Sequence, residues 1–361
     1  MKIGFFTDAY FPEIDGVTYT LKLWRDRLEA AGHDVWIVYP DGDYEPDERE
    51  LPIKSLPNPF YRGYRVALFR RLSKLPDFDV VHCHGPGPVG LLGLYCARRR
   101  DIPSVYTHHT PVEEYFHQSV KSQRLAGFLS DVYVPFENHL LDQFDVVTAS
   151  TPQINRNVDP IELPVGVDME FFTPRETPAT DGGALIGYSG RVSMEKNVEE
   201  ILSVARTLSA CNFVVVGEGP RREALEGEAP DNVTFHDFLP REDLPRFYSA
   251  LDAFVTASTA DTLGLATLEA NACRTPVAAA DVAPFSRTIG PENGTRFEYG
   301  DKKGMADAIE TCLFQEWETR AAVEQYSAHR TISELESIYN RLRTDQRVAV
   351  PQVSRSSATH D

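Results

Sequence analysis

Two clusters in the second half of the chain place cations and carboxylates where loops meet helices. The first is Gly190-Arg191 followed by Lys196-Asn197. A guanidinium can grip two phosphate oxygens in a fork, and an ammonium adds a compact charge. At the start of a helix both act beside unsatisfied N–H groups and the helix dipole, which together suit a diphosphate. The second cluster is Asp261-Thr262-Leu263-Gly264-Leu265-Ala266-Thr267-Leu268-Glu269. One carboxylate ends a loop and the other lies in the first turn of the next helix. Gly264, with the neighbouring amide of Leu265, lets backbone approach a ligand closely. Ionised carboxylates accept several hydrogen bonds, so acids at both ends suit hydroxyl groups. Phosphate donors beside hydroxyl acceptors describe a nucleotide diphosphate sugar.

Other candidates are weaker. His82-Cys83-His84 and His108-His109 raise the question of a metal, but no cysteine pair or carboxylate completes a tetrahedral set, and no metal site is expected. Asp41-Gly42-Asp43 and Asp77-Phe78-Asp79 are expected in so acidic a chain without any metal role. Gly217-Glu218-Gly219-Pro220 lacks the third glycine of a dinucleotide fingerprint and reads as a turn after a strand. One stretch reverses the overall charge: Lys54 to Lys74 holds Arg62, Arg65, Arg70 and Arg71 interleaved with Phe60, Tyr61, Tyr64, Val66, Leu68, Phe69 and Leu72. From Arg65 to Lys74 this pattern predicts a helix with a basic face and an apolar face, suited to an anionic membrane surface.

The elements that must position these residues alternate between strand and helix. Lys2–Thr7, Val35–Tyr39, Asp79–His84, Ser104–His108 and Asp145–Ala149 read as strands, with helices over Gly16–Ala31 and Val89–Arg100. A second series follows a turn at 164–168 and a flexible joint over Thr173–Gly183. Its strands are Ala184–Ser189, Asn212–Val216, Val233–His236, Ala253–Ala257 and Pro276–Ala280, with helices over Asn197–Ser209 and Leu244–Ala250. Strands alternating with helices imply parallel sheets. The expectation is an α/β protein of two Rossmann-like domains facing across a cleft. They cover residues 1–165 and 166–327, with a helix at about 328–345 packing back on the first and a disordered tail at 346–361. Ligands of such sheets bind at the strand carboxyl ends.

Composition narrows the class. The 361 residues are 42% apolar, as in a globular protein, and no run approaches a membrane span. The start, Met-Lys-Ile-Gly-Phe-Phe-Thr-Asp, reads as a buried strand and not a secretory leader, so a cytoplasmic protein is expected. Five scattered cysteines give no disulfide framework. A net charge of −18 excludes a nucleic-acid partner and suits a salty medium that screens self-repulsion.

Several stretches, in order along nearly the whole chain, resemble the retaining glycosyltransferases of family four, the glycosyl transferases group 1, with the GT-B fold. They are Phe11-Pro12 to Gly16-Val17, Asp79 to His82, Thr107 to Thr110, Gly166-Val167-Asp168 with Phe172 and Pro174, Gly190-Arg191 with Lys196-Asn197, Gly217 to Pro220, and Asp261 to Glu269 followed by Ala272-Cys273. The resemblance implies that Arg191 and Lys196 bind the diphosphate and replace a metal ion, so no cofactor is expected. Glu269 would hold the ribose, and Asp261 with the amides near Gly264 and Leu265 the transferred sugar. Gly16 would approach the phosphates, and His109 would contact the sugar. No nucleophile is assigned, because the leaving phosphate is held to help deprotonate the acceptor on the same face. Gly87 to Gly93 and Thr107 to Tyr115 resemble the diacylglycerol glycosyltransferase branch, which implies a lipid acceptor and a peripheral place on the inner face of the membrane, with Arg65, Arg70 and Arg71 as contacts. Three departures stand out: Asp261 where the family usually has glutamate, Arg274 where it often has glycine, and Asp15-Gly16 where two glycines are frequent. The alternatives are a nucleotide-sugar epimerase of the same fold, a non-catalytic binding homologue and an NAD-dependent oxidoreductase.

Overall fold

The structure, a computed structural model, describes residues 1–12, 16–58, 65–68, 75–109, 123–151, 154, 156–177 and 182–344. The chain divides into two compact units, Met1–Leu163 joined by the chain from Ile332 onward, and Pro164–Thr331.

The first unit is built on a parallel sheet of β1 (Lys2–Phe6), β2 (Asp34–Pro40), β3 (Glu50–Ile53), β6 (Val80–Cys83), β7 (Ser104–His108), β8 (Val146–Ala149) and β9 (Ile161–Glu162). A separate antiparallel pair, β4 (Ser55–Pro57) and β5 (Arg65–Ala67), lies between β3 and β6 in the chain. The sheet order is β3-β2-β1-β6-β7-β8-β9, so the chain winds outward from β1 and then reverses to β6. Register runs from Lys2 opposite Asp34 to Phe6 opposite Val38 on one side, and from Ile3 opposite Val80 to Phe6 opposite Cys83 on the other. Central parallel strands are covered on both faces, which is why β6 and β8 are buried at every residue. Helices α1 (Gly16–Ala30), α2 (Pro88–Arg100) and α3 (Gln123–Leu141) belong to this unit. Two glycines let α2 press onto the sheet: a Cβ on Gly90 would stand 1.8 Å from the Gly85 carbonyl oxygen, and one on Gly93 2.6 Å from Cys83 Sγ.

The second unit repeats the plan with β10 (Leu185–Ser189), β11 (Asn212–Val216), β12 (Val233–His236), β13 (Ala253–Thr256), β14 (Val277–Ala280) and β15 (Gly294–Phe297). Their order is β12-β11-β10-β13-β14-β15, all parallel, with the reversal between β10 and β13. Its longer helices are α4 (Val198–Thr207), α5 (Arg222–Gly227), α6 (Leu244–Ser249), α7 (Leu265–Ala272) and α8 (Lys302–Phe314). Ile201, Leu202 and Ala205 of α4 and Met305, Ile309 and Cys312 of α8 share one buried cluster with Ile186, Phe213 and Val215. The final helix, α9 (Ala328–Arg343), carries the chain back to the first unit, where Tyr339 is fully buried.

One expectation is corrected. Residues 65–67 are not the start of a basic helix. They pair with β4, Leu56 opposite Val66, and the Arg65 guanidinium is committed to Ser55 Oγ at 2.7 Å and to Asp41 at 3.5 Å. Cross-strand hydrogen bonds and an ion pair outweigh the helical pattern there; Arg62, Arg70, Arg71 and Lys74 lie outside the described residues. Of the joint expected at Thr173–Gly183, residues 178–181 lie outside the described residues; the Arg175 amide donates to Ser249 Oγ at 3.0 Å within the second unit. No helix among the described residues is long and apolar enough to cross a membrane.

Candidate active site

In an open α/β sheet, the loops at the carboxyl ends of the strands diverge where the winding reverses and leave room for a ligand. In the second unit those loops follow β10 and β13. The structure joins them through the residues singled out in the sequence. Lys196 Nζ lies 2.9 Å from Asp261 Oδ2 and donates to the Ala260 carbonyl at 3.1 Å. Asn197 holds the loops together: its Nδ2 donates to the Ala257 carbonyl at 3.0 Å, while the Thr259 amide donates to the Glu195 carbonyl at 3.0 Å. Asn197 has a left-handed φ of 50°, a conformation asparagine tolerates better than most residues. Arg191 stands exposed on the same loop as Lys196.

That loop rests largely on backbone, with the Tyr188 hydroxyl donating to the Arg191 carbonyl at 2.9 Å. Val192 N donates to the Glu218 carbonyl at 2.7 Å and Gly190 N to the Val216 carbonyl at 3.0 Å. A Cβ on Gly217 would sit 2.0 Å from the Gly190 oxygen, and one on Gly219 2.3 Å from the Val192 oxygen. Gly217-Glu218-Gly219 is therefore a support for the cation-bearing loop, which is why two glycines stand there.

Gly264 begins α7 in a left-handed conformation, φ 74°, where a Cβ would also strike the Phe285 ring at 2.5 Å. The amides of Leu265 and Ala266 donate to no other residue among those described. They are the unsatisfied donors that any helix start presents, and they follow directly on the loop carrying Asp261. Glu269 comes one turn later. Tyr248, buried, donates its hydroxyl to Glu269 Oε2 at 2.8 Å. Burial raises the Glu269 carboxyl above the ordinary range, opposed by Arg241 and by this hydrogen bond. Arg241 is itself held by stacking on Phe171 and Phe172, 5.0 and 5.2 Å from the ring centres. At the other end of α7, Arg274 adopts φ 71°, the left-handed conformation that glycine takes most easily. This marks Arg274 as a modest local strain.

The first unit reverses between β1 and β6, and there the corresponding helix start is already filled. Asp8 accepts from the amides of Gly87 at 2.9 Å, Val89 at 2.8 Å and Gly90 at 3.4 Å, at the start of α2. Its carboxyl is raised by burial and lowered by those bonds. Gly16 opens α1 and is exposed, with no atom of a described residue within 4 Å of where a Cβ would stand, so packing among the described residues does not require glycine there. The histidines form two hydrogen-bonded groups. His82 bonds Tyr339 Oη and Thr107 Oγ1, both at 2.6 Å, and His84 Nδ1 meets His109 Nε2 at 3.0 Å. Burial pushes His82 and His84 well below the ordinary imidazole value and His109 down to about 3.

Comparison with known proteins fixes the family. The sequence profile "Glycosyl transferases group 1" matches residues 170–330, and "Glycosyltransferase Family 4" matches residues 14–164. The chain belongs to the group 1 glycosyltransferases. It is 29% identical to an alpha-monoglucosyldiacylglycerol synthase of Streptococcus pneumoniae, over 86% of this chain and 77% of that one. It is 28% identical to a GDP-mannose-dependent alpha-mannosyltransferase of Mycolicibacterium smegmatis, over 81% of this chain and 82% of that one. Sucrose-phosphate synthase of Thermosynechococcus elongatus superposes with a TM-score of 0.73 at 19% identity, over 95% of this chain and 99% of that one, which establishes the GT-B fold.

In this glycosyltransferase the structure brings Lys196 and Asp261 into contact and sets Gly264, Leu265 and Glu269 on the helix that follows Asp261. Arg191 shares the loop of Lys196. Gly16 and His109 belong to the first unit. Sequence reasoning missed Tyr248 and Arg241 behind Glu269, and Asp8. Tyr248 and Arg241 lie in the helical segment before β13, where an aromatic residue and an arginine read as ordinary core and rim. Asp8 had a signal, an acid directly after the first strand, but its partners are 79 to 82 residues away.

Proposed function

We propose that this glycosyltransferase is a metal-independent, retaining hexosyltransferase that moves a sugar from a nucleotide diphosphate to a hydroxyl of a membrane lipid. The observation that carries the donor half is the Lys196–Asp261 contact at the reversal of the second sheet, followed in the chain by the Leu265 and Ala266 amides, which donate to no described residue. Arg191 and Lys196 hold the phosphates, Glu269 accepts from the ribose hydroxyls, and Asp261 with the Gly264–Leu265 backbone accepts and orients the sugar. As the bond from C1 to the phosphate oxygen breaks, negative charge grows on that oxygen and the two cations stabilise it. The acceptor oxygen joins C1 on the same face, and its proton passes to the departing phosphate. Gly16 leaves room for the phosphates, and His109 contacts the sugar. The similarity to a synthase of glucosyldiacylglycerol supports a lipid acceptor and a place on the inner membrane face, with Arg70 and Arg71 in the basic stretch as contacts. The acidic surface suits a salty cytoplasm.

Transfer of labelled sugar from UDP-glucose or GDP-mannose to diacylglycerol in detergent tests the reading, run with and without excess chelator at graded salt. Transfer that persists in chelator and drops at least tenfold in Arg191→Ala or Lys196→Ala is expected, the loss of one charge-assisted contact of about 1.5–3 kcal/mol. Activity abolished by chelator and restored by manganese would overturn the assignment of the positive charge.

A further inference from the structure

His84 is buried, and one of its nitrogens has no hydrogen-bond partner among the described residues. Its Nδ1 meets His109 Nε2 at 3.0 Å, and its Nε2 is enclosed with no described partner. His109 is half-buried and its other nitrogen, Nδ1, bonds to no described residue. The surroundings are aromatic: Phe5 packs edge-on to His84 at 4.9 Å, and Trp24 lies 5.8 Å from His84 and 6.3 Å from His109. No acid faces either ring among the described contacts, and the nearest imidazole, His82, is saturated by Tyr339 and Thr107. Burial keeps both rings neutral.

Two neutral imidazoles 3.0 Å apart share one proton across the contact, and two arrangements are possible. If His109 donates, His84 is left with an enclosed N–H that has nowhere to go. If His84 donates, His84 is left with an enclosed lone pair instead. Backbone groups give the guide: orphaned buried N–H groups are rarer there than under-satisfied carbonyls, and by that analogy the second arrangement is preferred. It has a consequence for His109: a neutral ring accepting at Nε2 must carry its proton on Nδ1.

We propose that His84 is a positioning residue whose Nδ1–H donates to His109 Nε2 and fixes His109 with its proton on Nδ1. His109 then meets its ligand only as a hydrogen-bond donor and never as a base. The assignment deepens the proposal that His109 contacts the sugar. It gives that contact a direction: a sugar hydroxyl oxygen accepts from Nδ1–H.

Nitrogen-15 NMR of the imidazoles in the full chain tests the tautomer without any turnover. His109 with a pyrrole-type Nδ1 and a pyridine-type Nε2 is expected; the reverse pattern overturns the proposal. His84→Leu removes the donor, so the His109 spectrum should become a mixture of tautomers and kcat should fall about tenfold, one neutral hydrogen bond, while affinity for UDP or GDP stays the same. His84→Asn, whose amide can donate from nearly the same place, should restore both. A His109 spectrum that does not change in His84→Leu overturns the positioning role. A changed spectrum with unchanged kcat upholds the positioning role and instead refutes the contact between His109 and the sugar. Should His84→Leu fail to fold, the wild-type spectrum alone decides.

Discussion

Replacing Asp261 with asparagine pulls apart two effects of one carboxylate. In the structure Asp261 Oδ2 sits 2.9 Å from Lys196 Nζ, and the two side chains are 25% and 18% exposed. A pair this accessible is worth at most about 1 kcal/mol, so its loss costs the fold little. Its consequences for the ligand differ in sign. Lys196 keeps its bond to the Ala260 carbonyl at 3.1 Å and stays in place, no longer neutralised. A nucleoside diphosphate should bind Asp261→Asn as well as wild type or up to about fivefold more tightly, the roughly 1 kcal/mol no longer spent on separating the pair. The sugar loses a charged acceptor worth about 1.5–3 kcal/mol, so turnover should fall about ten- to a hundredfold. Calorimetric titration with UDP and GDP, set beside turnover with the intact donor, reads both. If nucleotide affinity and turnover fall together, the carboxylate acts only by holding Lys196. If turnover is unchanged, Asp261 touches no sugar.

The other predictions concern buried groups. Tyr248→Phe removes the hydroxyl 2.8 Å from Glu269, one of the two influences that lower a carboxyl already raised by burial. The KM for the donor should rise about three- to tenfold, more so toward acid pH as Glu269 protonates earlier, and a pH-independent KM would remove Glu269 from ribose binding. His82, His84 and His109 stay neutral in the fold far below 6.5, His109 down to about 3. The unfolded chain gains those protons first, so stability should decline as pH falls from about 6.5 toward 3, by up to about 1.4 kcal/mol per pH unit for each ring. Asp8 and Glu269, with raised values, act in the opposite direction, so the comparison is between wild type and His109→Asn. The variant's Tm should drop less between pH 7 and pH 5; equal drops would show that His109 protonates freely in the fold.

What could be read from the sequence depended on the range of the interaction. The strands Ser104–His108, Asn212–Val216 and Val233–His236 follow from local apolar runs, and the structure reproduces them. Lys196 and Asp261 were nameable because each sits at a strand-to-helix turn, where the fold leaves donors open. Their pairing was not, because it depends on which strands are neighbours, and β10 and β13 are adjacent only through the sheet reversal. The Arg65 segment failed for a related reason. Its periodicity suits a helix, yet Ser55 and Asp41, ten and twenty-four positions earlier, supply partners that hold it as a strand. Short edge strands such as β3 and β9 have no periodicity to detect and exist only because a neighbour offers hydrogen bonds.

The two units share one plan, yet the helix start at the sheet reversal is occupied differently in each. At the reversal of the first sheet, Asp8 occupies three amides at the head of α2 with its own carboxylate. A phosphate arriving there would have to displace those bonds and meet a like charge. At the reversal of the second sheet, the head of α7 offers open amides, and the carboxylate present, Asp261, is turned onto Lys196. At these two helix starts an anion therefore finds donors before α7 and a filled site before α2. What the first unit presents near its reversal is instead a set of neutral imidazoles, His84 and His109, within an aromatic wall. Uncharged donors in an apolar setting suit hydroxyl groups rather than phosphates, because a neutral hydroxyl can be desolvated there at far lower cost than a charged group. The contrast between the two helix starts thus follows from where each unit places its carboxylate, on the helix amides in the first and on Lys196 in the second.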